Sequence, residues 1–441
     1  MGYQWLKTLA AYGFGGILAD EMGLGKILQV IAVLLSEKEA LAAAPALIAC
    51  PASLVYNWAE EFRRFALQLK VCLITGSQAE WAQLLSHCQE ADVLVTSYDL
   101  LKRDIAEYED LAFSYEIIDE AQYIKNHSTA ASKAVKAIRS HIRYALTGTP
   151  IENRLSELWS IFDYLMPGFL YSYESFRKEL ETPIVKNSDA AASGRLKKMV
   201  SPFILCRLKA DVLKELPEKL EEIHYAGFGE AQQKLYDAQV LHMKQMLESE
   251  NEDDFRKHKI QVLAELTRIR QICCDPSLCY ENYKDASAKR EAFVFSQFTS
   301  MLELLEKDLD AAEIPYYKIT GSTPKDERLA LVNAFNADRT PVFLLSLKAG
   351  GTGLNLTGAD VVIHYDPWWN LAAQNQATDR AHRIGQKKVV TVLKLIAKDS
   401  IEENILRMQE QKKDLADAIL DGETGGIGKL SREELMELIG G

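Results

Sequence analysis

Short apolar runs alternate with amphipathic stretches along the first third of the chain. The runs that have the length of buried strands lie at residues 46–50, 71–75, 93–96, 116–118 and 144–146. The stretches between them, such as 54–65, carry apolar residues at helical spacing. This alternation is typical of a parallel sheet with helices on both faces. The polar groups that follow each strand should then gather along one edge of the sheet.

The alternation stops after residue 167 and returns near residue 293. Long charged stretches with a helical pattern occupy the region between, at 194–199, 231–250 and 254–273. Strands are indicated again at 293–295, 316–319, 342–346, 361–365 and 389–395, and a helix follows at 400–420. We therefore predict an α/β fold with parallel-sheet lobes at 1–166 and 286–420, separated in sequence by helical insertions at 167–285. Residues 421–441 would form a linker (422–428) and a short terminal helix (431–439).

Composition narrows the class of protein. A chain of 441 residues with 48% apolar content is too long for one ordinary core, which agrees with two lobes. The net charge of -12 argues against a broad nucleic-acid-binding face but leaves room for a narrow one. The seven cysteines include no C-x-x-C pair and fit reduced thiols. With no apolar stretch long enough to cross a membrane, we expect a cytoplasmic protein.

The sequence D-E-M-G-L-G-K has the layout of a phosphate-binding loop between a short strand and a helix. Gly23 and Gly25 let the backbone approach an anion, the helix N-terminus points N–H groups at it, and Lys26 adds a charge. These features predict a nucleotide triphosphate. The P-loop consensus, however, has glycine in place of Asp20 and a hydroxyl in place of Ile27. A glycine turn that merely enters a core helix explains this stretch about equally well, so distant residues must decide.

Two adjacent carboxylates, Asp119 and Glu120, follow the strand at 116–118. Hydrolysis of a phosphoanhydride needs a carboxylate near Mg²⁺ and a group that orients water. We predict that Asp119 binds the metal and that Glu120 acts on the water. The alternative is a solvated Asp-Glu loop, which the position at the end of a strand downstream of Lys26 disfavours.

Gln376, Arg380 and Arg383 are spaced four and three apart within 371–384, which has a helical pattern, so we expect them on one helix face. Surface ion pairing is the alternative for the two arginines. An arginine supplied from a second lobe stabilises the charge in phosphoryl transfer and is worth about 10³–10⁵ in rate. This interpretation makes hydrolysis depend on the approach of the two lobes.

Together these segments resemble the Swi/Snf-type ATPases of helicase superfamily two, in their bacterial-like form, whose members translocate along double-stranded DNA. The strings HRIGQ and DPWWN separate this branch from the RNA helicases. The matching segments are ILADEMGLGK (17–26), CPASLVYNW (50–58), TSYDLL (96–101), DEAQYIKN (119–126), LTGTPIENRLSELWS (146–160), FSQFTSML (295–302), KAGGTGLNL (348–356), YDPWWN (365–370) and ATDRAHRIGQ (377–386).

The resemblance implies two RecA-like lobes with ATP and Mg²⁺ between them, double-stranded DNA across both, and helical protrusions from 167–285 that grip the duplex. It implies that the catalytic residues are Lys26, Asp119, Glu120, Arg380 and Arg383, with Asp119 as the metal ligand. It implies nucleotide contacts by Gly23, Leu24, Gly25, Lys26, Ile27, Gly353 and Gln376. It implies DNA contacts by Ser53, Trp58, Ser97, Tyr98, Ser296, Gln297, Thr320, Gly321, Ser346 and Lys348. Most of the DNA set are neutral donors, so phosphate tracking is compatible with an acidic chain.

The chain also departs from the family pattern. Ile27 stands where the family has threonine, and a lost contact of this kind costs about 3 kcal/mol, or on the order of 10²-fold in rate, so we expect slow hydrolysis. The family's adenine-reading glutamine would precede residue 1, which suggests the carboxyl-terminal motor region of a longer protein. The connection before strand 293–295 is short, so we expect an exposed apolar sheet face and a less stable second lobe. Cys206 replaces a usual arginine.

The leading interpretation is an ATP-dependent motor that moves on double-stranded DNA, remodels or displaces DNA-bound protein, and acts in the cytoplasm at the nucleoid. One alternative is a hydrolysis-defective scaffold that binds DNA in a nucleotide-dependent manner. Another, an RNA or strand-separating helicase, is disfavoured by the HRIGQ and DPWWN strings.

Overall fold

The computed structural model describes residues 1–76, 90–148, 155–187, 189–249, 252–280, 295–338, 340–346, 355–368, 371–418, 435–436 and 438–439. The chain divides into two compact units, Met1–Glu215 and Leu216–Gly441. Each unit has one sheet whose described strand pairs are all parallel. This confirms the predicted fold class of two parallel-sheet lobes with helices.

The first unit contains a seven-stranded sheet in the order β3-β4-β2-β5-β6-β1-β7. Its strands are β1 Gly16–Leu18, β2 Ala46–Cys50, β3 Val71–Leu73, β4 Val93–Ser97, β5 Ala112–Asp119, β6 Arg139–Leu146 and β7 Ile204–Leu205. Its helices are α1 Gly2–Ala11, α2 Lys26–Ser36, α3 Lys38–Ala43, α4 Val55–Phe65, α5 Tyr98–Arg103, α6 Ala130–Ala137, α7 Leu155–Leu165, α8 Tyr173–Phe176, α9 Thr182–Asn187, α10 Ala190–Val200 and α11 Lys209–Val212.

Both faces of this sheet are covered, which is why its central strands are apolar throughout. Ile117 of β5 packs in a cluster with α2 and α4, whereas the next residue, Ile118, packs in a second cluster with α7. Successive side chains of a strand point to opposite faces, so both must be apolar when both faces are buried. Because the helices cover both faces, the polar groups lie in the loops at the carboxyl ends of the strands.

The second unit contains a six-stranded sheet in the order β10-β11-β9-β12-β13-β8. Its strands are β8 Lys219–Ala226, β9 Phe295–Ser296, β10 Tyr316–Ile319, β11 Val342–Ser346, β12 Val361–His364 and β13 Val390–Ala397. Its helices are α12 Glu230–Ser249, α13 Glu252–Cys274, α14 Thr299–Ala311, α15 Lys325–Ala337, α16 Leu371–Thr378 and α17 Ile401–Ala418.

Two strands, β7 and β8, lie within 167–285, where the sequence pattern indicates helices alone. β7 has only two residues, and β8 is an edge strand with mostly exposed side chains. Neither therefore shows the apolar run by which the buried strands are recognised. The division into 1–166, 167–285, 286–420 and 421–441 stays a prediction. The segments 286–294 and 422–428 lie outside the described residues, as does most of 431–439.

The expected exposed apolar face on the second sheet is wrong for β9 and β11. Phe295 of β9 is buried, and so is every residue of β11. Residues of α14, such as Leu302, pack with Leu344 on one face, and residues of α15, such as Phe335, pack with Phe343 on the other. These two helices cover the faces that the shortened connection was expected to expose.

Two further expectations concern cysteines and membranes. Cys72 is disulfide-bonded, so the expectation of reduced thiols is wrong for that residue. Cys50, Cys206, Cys273, Cys274 and Cys279 are free. Within the described parts of the chain, none of the helices has the length and apolar character that crossing a membrane requires.

Candidate active site

The phosphate loop follows β1 and ends at the first residue of α2. Gly23 and Gly25 have φ values of 88° and 73°, a backbone region that disfavours other residues. Gly25 is the N-cap of α2 and makes no side-chain cap, so the first N–H groups of the helix point into the loop. The Lys26 ammonium donates to the backbone oxygen of Asp20 at 2.6 Å. N–H groups at a helix start, a lysine and a glycine backbone fit the phosphates of a nucleotide.

Asp20 anchors this loop to the segment that follows β7. Its carboxylate is fully buried and accepts from Arg207 Nε at 2.9 Å, from Arg207 Nη2, and from Gln29 Nε2 at 3.2 Å. A buried carboxylate requires such partners. The residue that departs from the P-loop consensus is thus an internal support of the loop. No role was assigned to Arg207 from the sequence.

Asp119 ends β5, and both of its carboxylate oxygens are bound. Oδ1 accepts from the backbone N–H of Glu120 at 2.9 Å, and Oδ2 accepts from the indole of Trp58 at 3.0 Å. Burial, and next the charge of Glu120, raise the pKa of Asp119 to about 7, whereas Lys26 acts in the opposite direction. A nearby cation therefore favours the charged form.

A carboxylate oxygen is a ligand that Mg²⁺ prefers, and Mg²⁺ commonly takes one or two carboxylates together with phosphates and water. Asp119 fits that role. Ile27 offers no oxygen. Among the described residues, no group of three or more histidine, cysteine or acidic side chains could hold a metal. The donor set therefore suits a metal that arrives with a nucleotide better than a resident metal cluster.

Glu120 lies in a strained backbone conformation beside this carboxylate. Its φ of 53° is in the left-handed region, and strained residues of this kind cluster at functional sites. Its side chain accepts from Gln122 Nε2 at 2.7 Å, and Gln122 Oε1 accepts from the hydroxyl of Thr147 at 3.2 Å. Gln122 thus joins the carboxyl ends of β5 and β6, a role that the sequence analysis missed.

The DNA contacts predicted in the first unit lie after β2 and β4, which are neighbours in the sheet. Ser53 is half-buried in the turn before α4, and Ser97 caps α5 by accepting from Leu100 N at 3.3 Å. Tyr98 is buried and donates its hydroxyl to the backbone oxygen of Asp119 at 2.7 Å. Trp58 is fully buried and has no surface to offer DNA, so the predicted contact by Trp58 is wrong.

The predicted helix over 371–384 is also wrong, because α16 ends at Thr378. Arg380 and Arg383 lie in the turns that follow and do not share a helix face with Gln376. The backbone oxygen of Arg380 accepts instead from Leu356 N at 3.0 Å. Arg380 is buried, whereas Gln376 and Arg383 are half-buried. The spacing of four and three residues therefore did not predict where these three side chains lie.

Gln386 holds these turns in place, which the sequence analysis also missed. Its side-chain amide donates to the backbone oxygens of Thr357 at 3.2 Å, Ala359 at 2.7 Å and Ala381 at 3.2 Å. Its Oε1 accepts from the backbone N–H groups of Lys387 and Lys388. A buried amide that satisfies five backbone groups fixes the path of the chain around Arg380 and Arg383.

The DNA contacts predicted in the second unit lie at the carboxyl ends of three adjacent strands. Ser296, Thr320 and Ser346 are at or just after the ends of β9, β10 and β11, and the first and last of these are buried. Gly321 is exposed in the turn after β10. Gln297 accepts from the buried guanidinium of Arg270 at 2.8 Å. Lys348 and the nucleotide contact Gly353 lie outside the described residues.

Comparison with known proteins adds a family. A model described as the SNF2-related domain matches residues 1–278, and one described as the helicase conserved C-terminal domain matches 275–385. Similar proteins include the uncharacterized ATP-dependent helicase MG018 of Mycoplasma genitalium, 40% identical over 99% of this chain and 43% of its own length. The putative ATP-dependent helicase/translocase YwqA of Bacillus subtilis is 40% identical over 99% of this chain and 50% of its length.

The TATA-binding protein-associated factor mot1 of Schizosaccharomyces pombe is 34% identical over 99% of this chain and 27% of its own length. The chain therefore spans half or less of the length of these three relatives.

Proposed function

Because the chain belongs to the SNF2-related family, we propose that it is an ATP-dependent motor that moves on double-stranded DNA and remodels or displaces DNA-bound protein. The observation that carries the proposal is the pairing of a phosphate loop with a carboxylate at one sheet edge. The loop follows β1, Asp119 ends β5, and the charge of Lys26 acts on Asp119. Phosphoryl transfer requires these two elements together.

In this mechanism the first unit binds the nucleotide. The N–H groups at the start of α2 and the ammonium of Lys26 would bind phosphate oxygens, and Asp119 would hold Mg²⁺. When bound, the metal would neutralise charge on the phosphate oxygens. Glu120, oriented by Gln122, positions the attacking water. Arg380 and Arg383 would stabilise the charge that develops in the reaction, as the sequence predicts.

DNA as the substrate is supported by the HRIGQ and DPWWN strings and by the polar residues at the strand ends of both units. A putative ATP-dependent helicase/translocase among the relatives supports translocation. A TATA-binding protein-associated factor among them supports a DNA-bound protein as the target. Trp58 is no longer part of the proposed DNA surface, which otherwise keeps the residues predicted from the sequence.

The experiment compares ATP hydrolysis by this chain alone and with duplex DNA, single-stranded DNA or RNA. We expect the largest stimulation with duplex DNA, and Asp119→Asn should abolish it because the metal ligand loses its charge. Stimulation by RNA or single strands alone would favour a strand-separating helicase. Nucleotide-dependent DNA binding without hydrolysis would favour the scaffold.

A further inference from the structure

The indole of Trp58 lies in the core of the first unit yet bonds the carboxylate at the sheet edge. Its ring is fully buried with the side chains of α2 and α4, and its Nε1 is 3.0 Å from Asp119 Oδ2. A buried indole needs only one acceptor. A backbone carbonyl suffices elsewhere in this unit, where Trp159 donates to the backbone oxygen of Tyr171 at 3.2 Å. The choice of a charged acceptor by Trp58 thus exceeds what burial alone requires.

The hydrogen bond limits how the carboxylate can rotate. Trp58 holds Oδ2 and the backbone N–H of Glu120 holds Oδ1, so the plane of the Asp119 carboxylate is fixed from both ends. Each oxygen keeps a further lone pair for a metal. Mg²⁺ demands nearly ideal octahedral geometry, and groups that orient a ligating side chain change metal affinity about 10–100-fold.

The backbone of Trp58 is bonded to the turn before α4, so this residue connects the turn to Asp119. The backbone N–H of Trp58 donates to Leu54 O at 2.9 Å, and that of Leu54 donates to Pro51 O at 2.8 Å. Ser53, a proposed DNA contact, lies inside this turn. One helical turn therefore separates the proposed DNA contact from the hydrogen bond to the carboxylate.

We propose that Trp58 is a positioning residue that orients Asp119 for Mg²⁺ and makes this orientation depend on DNA bound at the 51–54 turn. The inference rests on the proposed function, because it takes Asp119 as the metal ligand. It adds a route by which DNA stimulates hydrolysis within the first unit.

The test measures binding of a fluorescent ADP analogue in Mg²⁺ and in EDTA. Trp58→Phe keeps an aromatic ring and removes the donor. We expect the gain in affinity that Mg²⁺ provides to fall about tenfold, with affinity in EDTA within twofold of the unaltered chain. Trp159→Phe, which removes the indole donor that bonds Tyr171, should leave both values unchanged. If Trp58→Phe folds poorly, 3-benzothienylalanine at position 58 takes its place, because it keeps the two-ring shape without the N–H. It should show the same roughly tenfold loss of the Mg²⁺-dependent gain in affinity.

A second arm measures the factor by which duplex DNA stimulates hydrolysis, which should fall at least threefold in the donor-free variants and stay constant in Trp159→Phe. Unchanged Mg²⁺-dependent binding in both Trp58 variants would overturn the positioning role, and an unchanged stimulation factor would overturn the link to DNA. Failure of the proposed function has a different signature, since the unaltered chain itself would then gain no affinity from Mg²⁺.

Discussion

At the scale of single residues, Ile27 and His364 carry the clearest consequences. Ile27 is the second residue of α2 and packs partly against the core, so its side chain supplies a hydrocarbon where phosphate loops supply a hydroxyl. His364 is a neutral imidazole enclosed by the second unit. Ile27 should affect the rate of hydrolysis through a missing hydroxyl, and His364 should affect stability in acid through its imidazole.

Ile27→Thr should raise the turnover number for ATP at least tenfold, because the new hydroxyl can bind Mg²⁺ and one such contact is worth on the order of 10² in rate. Steady-state hydrolysis at saturating ATP and duplex DNA measures this. Ile27→Val has nearly the shape of threonine and no oxygen, so it separates the hydroxyl from the loss of packing. Equal turnover in both variants would show that the hydroxyl is irrelevant here.

His364 should make the second unit sensitive to acid. Burial, and next Lys394, lower the pKa of His364 to about 3, and Nε2 lies 2.9 Å from the hydroxyl of Thr378. The unfolded chain takes up the proton near pH 6.5 and the folded chain does not, so stability is full above pH 6.5 and falls as the pH drops toward 3. The loss is about 2 kcal/mol between pH 7 and pH 5.

Urea unfolding of His364→Gln at these two pH values tests this. In this variant the unfolding free energy should no longer fall by about 2 kcal/mol between pH 7 and pH 5. His224→Gln, at an exposed position, should keep that loss. If both variants keep the acid sensitivity, another group is responsible.

At the scale of elements, the end of α16 decides where the two arginines lie. The helical pattern continues past Thr378, but the backbone oxygen of Arg380 bonds Leu356 and that of Ala381 bonds Gln386. These bonds replace the helical ladder with a turn. A local pattern cannot reveal them, because their partners come from the loop at 356–359 or from a side chain whose role depends on that loop.

Gln386→Ala should lower the unfolding free energy of the second unit by about 3 kcal/mol, because buried backbone groups lose their partners. It should also lower duplex-stimulated hydrolysis, since the turns that hold Arg380 and Arg383 are no longer fixed. Gln233→Ala, which removes an exposed bond to Asp237 on α12, should change stability by less than about 0.5 kcal/mol. Full stability and activity in Gln386→Ala would contradict the role assigned to this amide.

At the scale of the whole molecule, the chain is built as two units. Each of these compact units has its own parallel sheet and its own buried clusters. Units with separate cores can unfold in separate steps. The second unit, which has the short connection before the strand at 293–295, stays the one predicted to be less stable.

Calorimetry should resolve two thermal transitions, with the second unit unfolding at the lower temperature. Variants assign them: Gln386→Ala should shift only the lower transition, and Trp159→Phe only the upper. A single cooperative transition that both variants shift together would contradict independent units.

The sequence by itself determined the α/β class and much of the strand map. The strands at 46–50, 316–319 and 342–346 coincide with β2, β10 and β11, because strands buried in a parallel sheet are short apolar runs between turns. It also placed Lys26 between a short strand and a helix, and Asp119 at the end of a strand. These properties follow from local composition and spacing.

Only the tertiary structure decided which distant group satisfies each buried polar atom. Asp20 is bound by Arg207, which lies 187 positions away in the chain, and Trp58 faces Asp119 rather than solvent. Burial makes such pairings obligatory but leaves the partner open. The fold chooses that partner, because the packing of strands and helices determines which side chains meet.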